Sequence, residues 1–229
     1  MPIWRSLKNS APSGDPKIHV KYTGLSISKD RQTQATEAVT RARYMVTYVV
    51  GKLASLQSAN GSDPVKKHAK YYLKRGDTLT QGDLDAIKSV LTLIQTGLGA
   101  DTSIKIISKG DASGYVNTHA EAKKDSWTQG TKTRSQDGTL LATARTVHRG
   151  DIHIKKRQLD RGVNLAAKTI IHEASHKFAS TCDFGDRGAV WSNDVDFIAD
   201  GLQPDEALNN AESYARLVLH VFEDECGWT

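Results

Sequence analysis

The chain has 229 residues, 38% of them hydrophobic and 25% charged, with a formal net charge of +5. This suits an ordinary folded chain of one large or two small domains and excludes overall disorder. No stretch approaches the roughly 18 apolar residues of a membrane span, and the start, Met1-Pro2-Ile3-Trp4-Arg5-Ser6-Leu7-Lys8, lacks the apolar run of a signal peptide.

Residues 1–30, rich in Ser, Gly, Pro and Lys, read as an irregular lead-in with one alternating patch, Ile18-His19-Val20-Lys21-Tyr22, that suits a short strand. Residues 31–229 read as a single domain. From Arg31 to Leu56 apolar residues recur at Ala35, Val39, Ala42, Met45, Val46, Val49 and Leu53, the spacing of an amphipathic helix. A short helix is expected after Asp63-Pro64, stopping near Gly76. Another starts at Thr80 or Asp83 and ends at Gly97 or Gly99. The period then changes to two, giving strands at 103–107, 114–116 and 151–155, with one more expected at 140–147. Between them, residues 118–138 have the polar profile of a long exposed insertion. From Val163 to Ala179, apolar positions Ala167, Ile170, Ile171, Ala174 and Phe178 mark one face of a buried helix. A last helix is expected from Pro204, fraying near Cys226 because Glu223-Asp224-Glu225 puts acids at its C-terminal end. The sum is an α+β chain: a helical N-terminal half, a small mixed sheet, the 163–179 helix and a C-terminal helix.

Charge is divided unevenly. Residues 190–229 hold nine acids against one base, Arg216, a balance of −8; residues 1–189 keep 30 bases and 17 acids, or +13. Basic runs such as Lys66-Lys67-His68, Lys123-Lys124 and Lys155-Lys156-Arg157 are expected to be solvated faces, since they lack the interleaved aromatics of a single-strand nucleic-acid binder. The two cysteines, Cys182 and Cys226, are too few for a disulfide framework and are read as reduced thiols. The expectation is a soluble, leaderless protein, either cytoplasmic or exported by a leaderless secretion system.

The 163–179 helix carries the pentad His172-Glu173-Ala174-Ser175-His176. Histidines four apart lie one turn from each other on the same helical face, so both imidazoles can reach one metal ion, while the adjacent Glu addresses a water on it. The pattern therefore points to zinc hydrolase chemistry, with His148, His153 and His220 as bystanders. Two histidines leave a catalytic zinc one protein ligand short. A metzincin would place Gly and His where this chain has Ala179 and Cys182, which excludes that arrangement. Two acids remain open as third ligand: Asp183, just past the helix, and Glu212, on the last helix.

The strings Ser180-Thr181-Cys182-Asp183-Phe184-Gly185-Asp186-Arg187 and Asn210-Ala211-Glu212-Ser213-Tyr214-Ala215 resemble two segments of the aspzincin metallopeptidases, the deuterolysin and peptidyl-Lys metalloendopeptidase type. Those segments are GTxDxxYG, matched here at Thr181 and Asp183, and NADSYxxF. The resemblance implies a zincin-like metalloprotease fold, one catalytic zinc ion held by His172, His176 and Asp183, and Glu173 as general base. It implies substrate contacts at Glu212 and, in place of the family's oxyanion tyrosine, Asp186. Asp186 cannot donate a hydrogen bond when ionised, so Tyr214 or a free histidine becomes the expected oxyanion donor. Ala215 stands where lysine-specific members carry a second acid, and the acidic C-terminal segment argues for a lean toward basic residues.

The functional expectation is a zinc metalloendopeptidase acting on protein or peptide substrates. A secreted bacterial toxin or effector with a neutralising immunity partner would fit a leaderless chain. The alternative is a non-catalytic zincin-like binding module whose basic face meets nucleic acid or a partner protein.

Overall fold

A mixed sheet and a set of helices share one continuous apolar core in the structure, a computed structural model that describes residues 4–8, 16–23, 27–56, 63–76, 79–108, 114–118, 148–184, 197 and 201–226. The strands are β1 (Trp4–Lys8), β2 (Ile18–Thr23), β3 (Thr102–Ile107), β4 (Gly114–Thr118) and β5 (His148–Lys155). They stand in the order β1-β2-β3-β5-β4. The central three run parallel, and β1 and β4 are antiparallel to their neighbours. Register aligns Val20 with Ile104 and Ile152, and Tyr22 with Ile106 and Ile154. Because side chains alternate along a strand, these two rows of buried residues present one apolar face.

The helices are α1 (Lys29–Ser55), α2 (Pro64–Tyr72), α3 (Gln81–Gly99), α4 (Lys156–Leu159), α5 (Val163–Ala179), α6 (Pro204–Ala207) and α7 (Ala211–Cys226). Ser28 caps α1, Asp63 caps α2 with Pro64 at its start, and Thr80 and Asp83 close a capping box on α3, each supplying acceptors to otherwise unpaired amide groups. Helix α5 is the hub. It packs on α1, α3, α4 and α7 and on strands β4 and β5, which explains why the side chains of its pentad are buried.

Several sequence expectations change. Residues 1–30 are not one irregular lead-in: they supply β1 as well as β2, and Arg43 on α1 donates to the carbonyls of Pro16, Leu98 and Ala100, tying this segment to α1 and α3. Of the two ends expected for α3, Gly97 and Gly99, the helix takes Gly99; at Gly97 an added Cβ would lie 2.2 Å from the Phe178 ring, so that glycine admits α5. The single helix expected from Pro204 is two, α6 and α7, because the chain between them pairs with Cys182 instead: Cys182 N donates to Asn209 O at 2.7 Å and Ala211 N to Cys182 O at 3.0 Å. The end of α7 remains helical to Cys226 despite its acids. Asp224 is tied to Lys67 and His68, and Glu225 to Lys52 and Tyr48, and these cross-helix contacts offset the unfavourable dipole. The insertion at 118–138, apart from Thr118 at the end of β4, and the strand expected at 140–147 lie outside the described residues.

Candidate metal centre

Helix α5 ends in a turn that brings a carboxylate back to its own histidines. Ser180 takes a left-handed conformation (φ 55°), and Ser180 N and Thr181 N donate to His176 O and Ser175 O. Ser175 Oγ lies 2.6 Å from Thr181 Oγ1 and donates to His172 O at 2.7 Å, fixing the turn from inside. The bridge from Cys182 to Asn210 then pins the outgoing chain to the start of α7. Between these two fixed points sits Asp183.

The three side chains converge. His172 Nε2 and His176 Nε2 are 3.1 Å apart, Asp183 Oδ1 is 3.3 Å from His172 Nε2, and Asp183 Oδ2 is 3.4 Å from His176 Nε2. A tetrahedral zinc ion with bonds of about 2.0–2.1 Å holds its donors about 3.3–3.4 Å from one another, so these separations fit such an ion. Asp183 Oδ1 is buried and has no hydrogen-bond partner among the described residues. Such an orphan is costly unless something else neutralises it. The side chain of Asp183 is 33% exposed overall, so the cluster retains an approach from solvent.

Both imidazoles are fixed by their far nitrogens. His176 Nδ1 donates to Thr181 O at 2.8 Å, and His172 Nδ1 to Glu212 Oε2 at 3.1 Å. Neither acceptor can donate, so each Nδ1 carries a proton and both Nε2 atoms face the shared space. The rings are edge-on, with an 83° interplanar angle. Burial penalises a charged His172, but Asp183 and Glu212 outweigh it and hold the ring well above its ordinary pKa. Burial likewise opposes ionisation of Asp183, yet His172 and His176 hold its carboxyl far below the usual range. A field that draws positive charge to this point equally favours a metal cation.

Glu173 follows His172 on α5 and is 4% exposed. Burial raises its pKa, and His172, His176 and Asp183 all lie within electrostatic reach of it. Its carboxylate lies against Gly114 on β4: a Cβ there would sit 2.9 Å from Glu173 Oε1 and 2.7 Å from His153 O. Only glycine fits that position without displacement.

The other sequence-selected residues fall differently. Glu212 is neither a third ligand nor the wall of an open pocket: it is 1% exposed and meets the outer nitrogen of His172, with Lys168 and Arg216 on its second oxygen. Those charges lower its pKa to about 2 against the effect of burial. Tyr214 is not an oxyanion donor, since it is fully buried and its hydroxyl donates to Leu208 O at 2.7 Å. Asp186 lies outside the described residues. Of the bystander histidines, His153 is buried in β5 and His220 stacks on His68 and Tyr72, away from the cluster. The Lys66-Lys67-His68 run is not a free basic face, because Lys66 is buried and Lys67 and His68 meet Asp224.

Sequence reasoning passed over Lys168, Arg216 and Gly114. Arg216 stands four residues after Glu212, and Lys168 four before His172, so helical spacing was the available signal. Glycine in a strand marks close approach of another group.

His172, His176 and Asp183 form a group that could hold a metal ion. No helix among the described residues is long and apolar enough to cross a membrane. No protein-family model matches the sequence, and no curated protein matches it. Among solved structures the chain is similar to a zinc peptidase from Grifola frondosa, with a TM-score of 0.54 at 12% identity, covering 84% of this chain and 96% of that one. The relationship is therefore one of fold, between this α+β chain and a zinc peptidase.

Proposed function

We propose that the chain is a zinc-dependent metalloendopeptidase, with zinc held by His172, His176 and Asp183 and with Glu173 as general base. The observation that carries this reading is the spacing of 3.1, 3.3 and 3.4 Å among two imidazole nitrogens and a carboxylate whose Oδ1 has no hydrogen-bond partner among the described residues. The fold-level likeness to a zinc peptidase and the sequence resemblance to aspzincins support it independently.

A bound zinc ion would supply Lewis acidity, polarising a scissile carbonyl and making water a better nucleophile. Glu173 takes the proton from the attacking water and delivers it to the leaving amine. Its raised pKa suits both halves, because a carboxylate closer to neutral pH both accepts and returns a proton. Gly114 holds that carboxylate in place by leaving it room against β4. Thr181 and Glu212 keep both Nε2 lone pairs aimed inward.

Incubation of the purified protein with a mixed peptide library, with and without chelator, tests the reading by mass spectrometry. Internal cuts that vanish with chelator and return with zinc are expected. Binding of zinc without any cut would reduce the protein to a metal-holding module.

A further inference from the structure

Three charged side chains, Glu212 and Arg216 buried and Lys168 partly buried, gather behind the outer nitrogen of His172. Glu212 divides its oxygens: Oε2 accepts from His172 Nδ1 at 3.1 Å, and Oε1 accepts from Arg216 Nε at 2.9 Å and from Lys168 Nζ. Lys168 lies one turn before His172 on α5, and Arg216 one turn after Glu212 on α7. The two cations thus come from the two helices whose packing sets the site. A buried Lys-Glu-Arg cluster is a poor source of net stability, since desolvation offsets most of its attraction. Its geometry suggests another use. A carboxylate anchored at one oxygen by two donors cannot rotate, and its other oxygen is held where the imidazole must point.

We propose that Lys168 and Arg216 are positioning residues of the metal site, acting through Glu212 to fix the ring orientation and tautomer of His172. On the same geometry Glu212 does not select basic substrate side chains, because its charge is already met by two cations. The proposal rests on the metallopeptidase reading for its metal.

The test is a double-variant cycle on the full chain, read as the zinc dissociation constant by competition with a chromophoric chelator and as the visible spectrum of the cobalt-substituted protein. Near-UV circular dichroism confirms folding. Glu212→Gln is expected to weaken zinc about 10- to 100-fold, as loss of a histidine's outer partner does, and to alter the cobalt spectrum. Lys168→Met keeps Arg216 on Glu212 and so keeps the fold; it should weaken zinc severalfold in the wild-type background and not at all in the Glu212→Gln background. Lys168→Arg should recover the affinity that Lys168→Met loses. Cut-site preference in a peptide library should be the same for Glu212→Gln and wild type, at lower rate. An unchanged or tighter zinc constant in Lys168→Met, or an equal loss in both backgrounds, overturns the proposal, as does a changed cut-site preference in Glu212→Gln. A wild type that holds zinc but cuts nothing removes the peptidase reading while the cycle still decides the clamp. A wild type that takes up no zinc removes both.

Discussion

Glu212 accepts a hydrogen bond from His172, 40 positions earlier in the sequence, Oε2 to Nδ1 at 3.1 Å, joining the pentad helix to the C-terminal helix at the candidate metal centre. The carboxylate also pairs with Lys168 and Arg216 through its other oxygen.

Removing that carboxylate outright should cost stability before it costs anything else. Glu212→Ala leaves the buried Arg216 and the partly buried Lys168 without their shared partner, which is expected to lower unfolding free energy by about 3–5 kcal/mol. Urea titration of the chelator-treated protein measures this without any metal contribution. A shift of the midpoint too small to correspond to 1 kcal/mol would contradict the burial argument.

Gly114→Ala addresses the proposed general base, Glu173. The new methyl would meet His153 O, which is backbone and cannot swing aside, and Glu173 Oε1. Displacement of Glu173 by about 1 Å should lower kcat by about 100-fold, while zinc content stays at the wild-type level. Equal turnover in the two proteins would show that Glu173 does not depend on β4.

Asp183→Ala should abolish the thermal stabilisation that zinc confers. A ligand at 100 times its dissociation constant stabilises the native state by about 2.7 kcal/mol, so zinc should raise the wild-type Tm by several degrees and leave the variant unmoved. An equal rise in both would exclude Asp183 as a ligand.

Acid sensitivity should arise partly far from the candidate metal centre. Hydrogen bonds from Lys67 and His68 lower the pKa of Asp224, and those from Lys52 and Tyr48 lower that of Glu225. A depressed folded-state pKa contributes stability that is present above the unfolded-state value and lost as pH falls through the folded-state one. The gap in urea midpoint between wild type and the Asp224→Asn, Glu225→Gln double variant should therefore be widest near neutrality and close as pH drops below the ordinary carboxylate range. A gap that does not depend on pH would assign these contacts to packing alone.

What could be read from the sequence was local. The extent of α5, the spacing of His172 and His176, and the buried faces of α1 and α3 follow from 3.6-residue periodicity, which neighbours in sequence determine. Asp183 was accessible because a turn returns the chain to the same helix within seven residues. The role of Glu212 was not, because its partners Lys168 and His172 are remote in sequence and a lone acid on a helix looks the same whether it faces solvent, substrate or a buried cation. Tyr214 failed for a related reason: only the packing of α7 shows that its hydroxyl is used by Leu208. Strand β1 carries no alternating pattern of its own and exists because β2 offers it an edge.

The most direct measurement compares wild type with Glu173→Gln for zinc content and for cleavage of a denatured protein substrate. Glu173 is proposed as the proton carrier and not as a ligand, so the variant should bind one zinc ion as wild type does and lose cleavage by several orders of magnitude. A Glu173→Gln protein that still cut at the wild-type rate would contradict the mechanism.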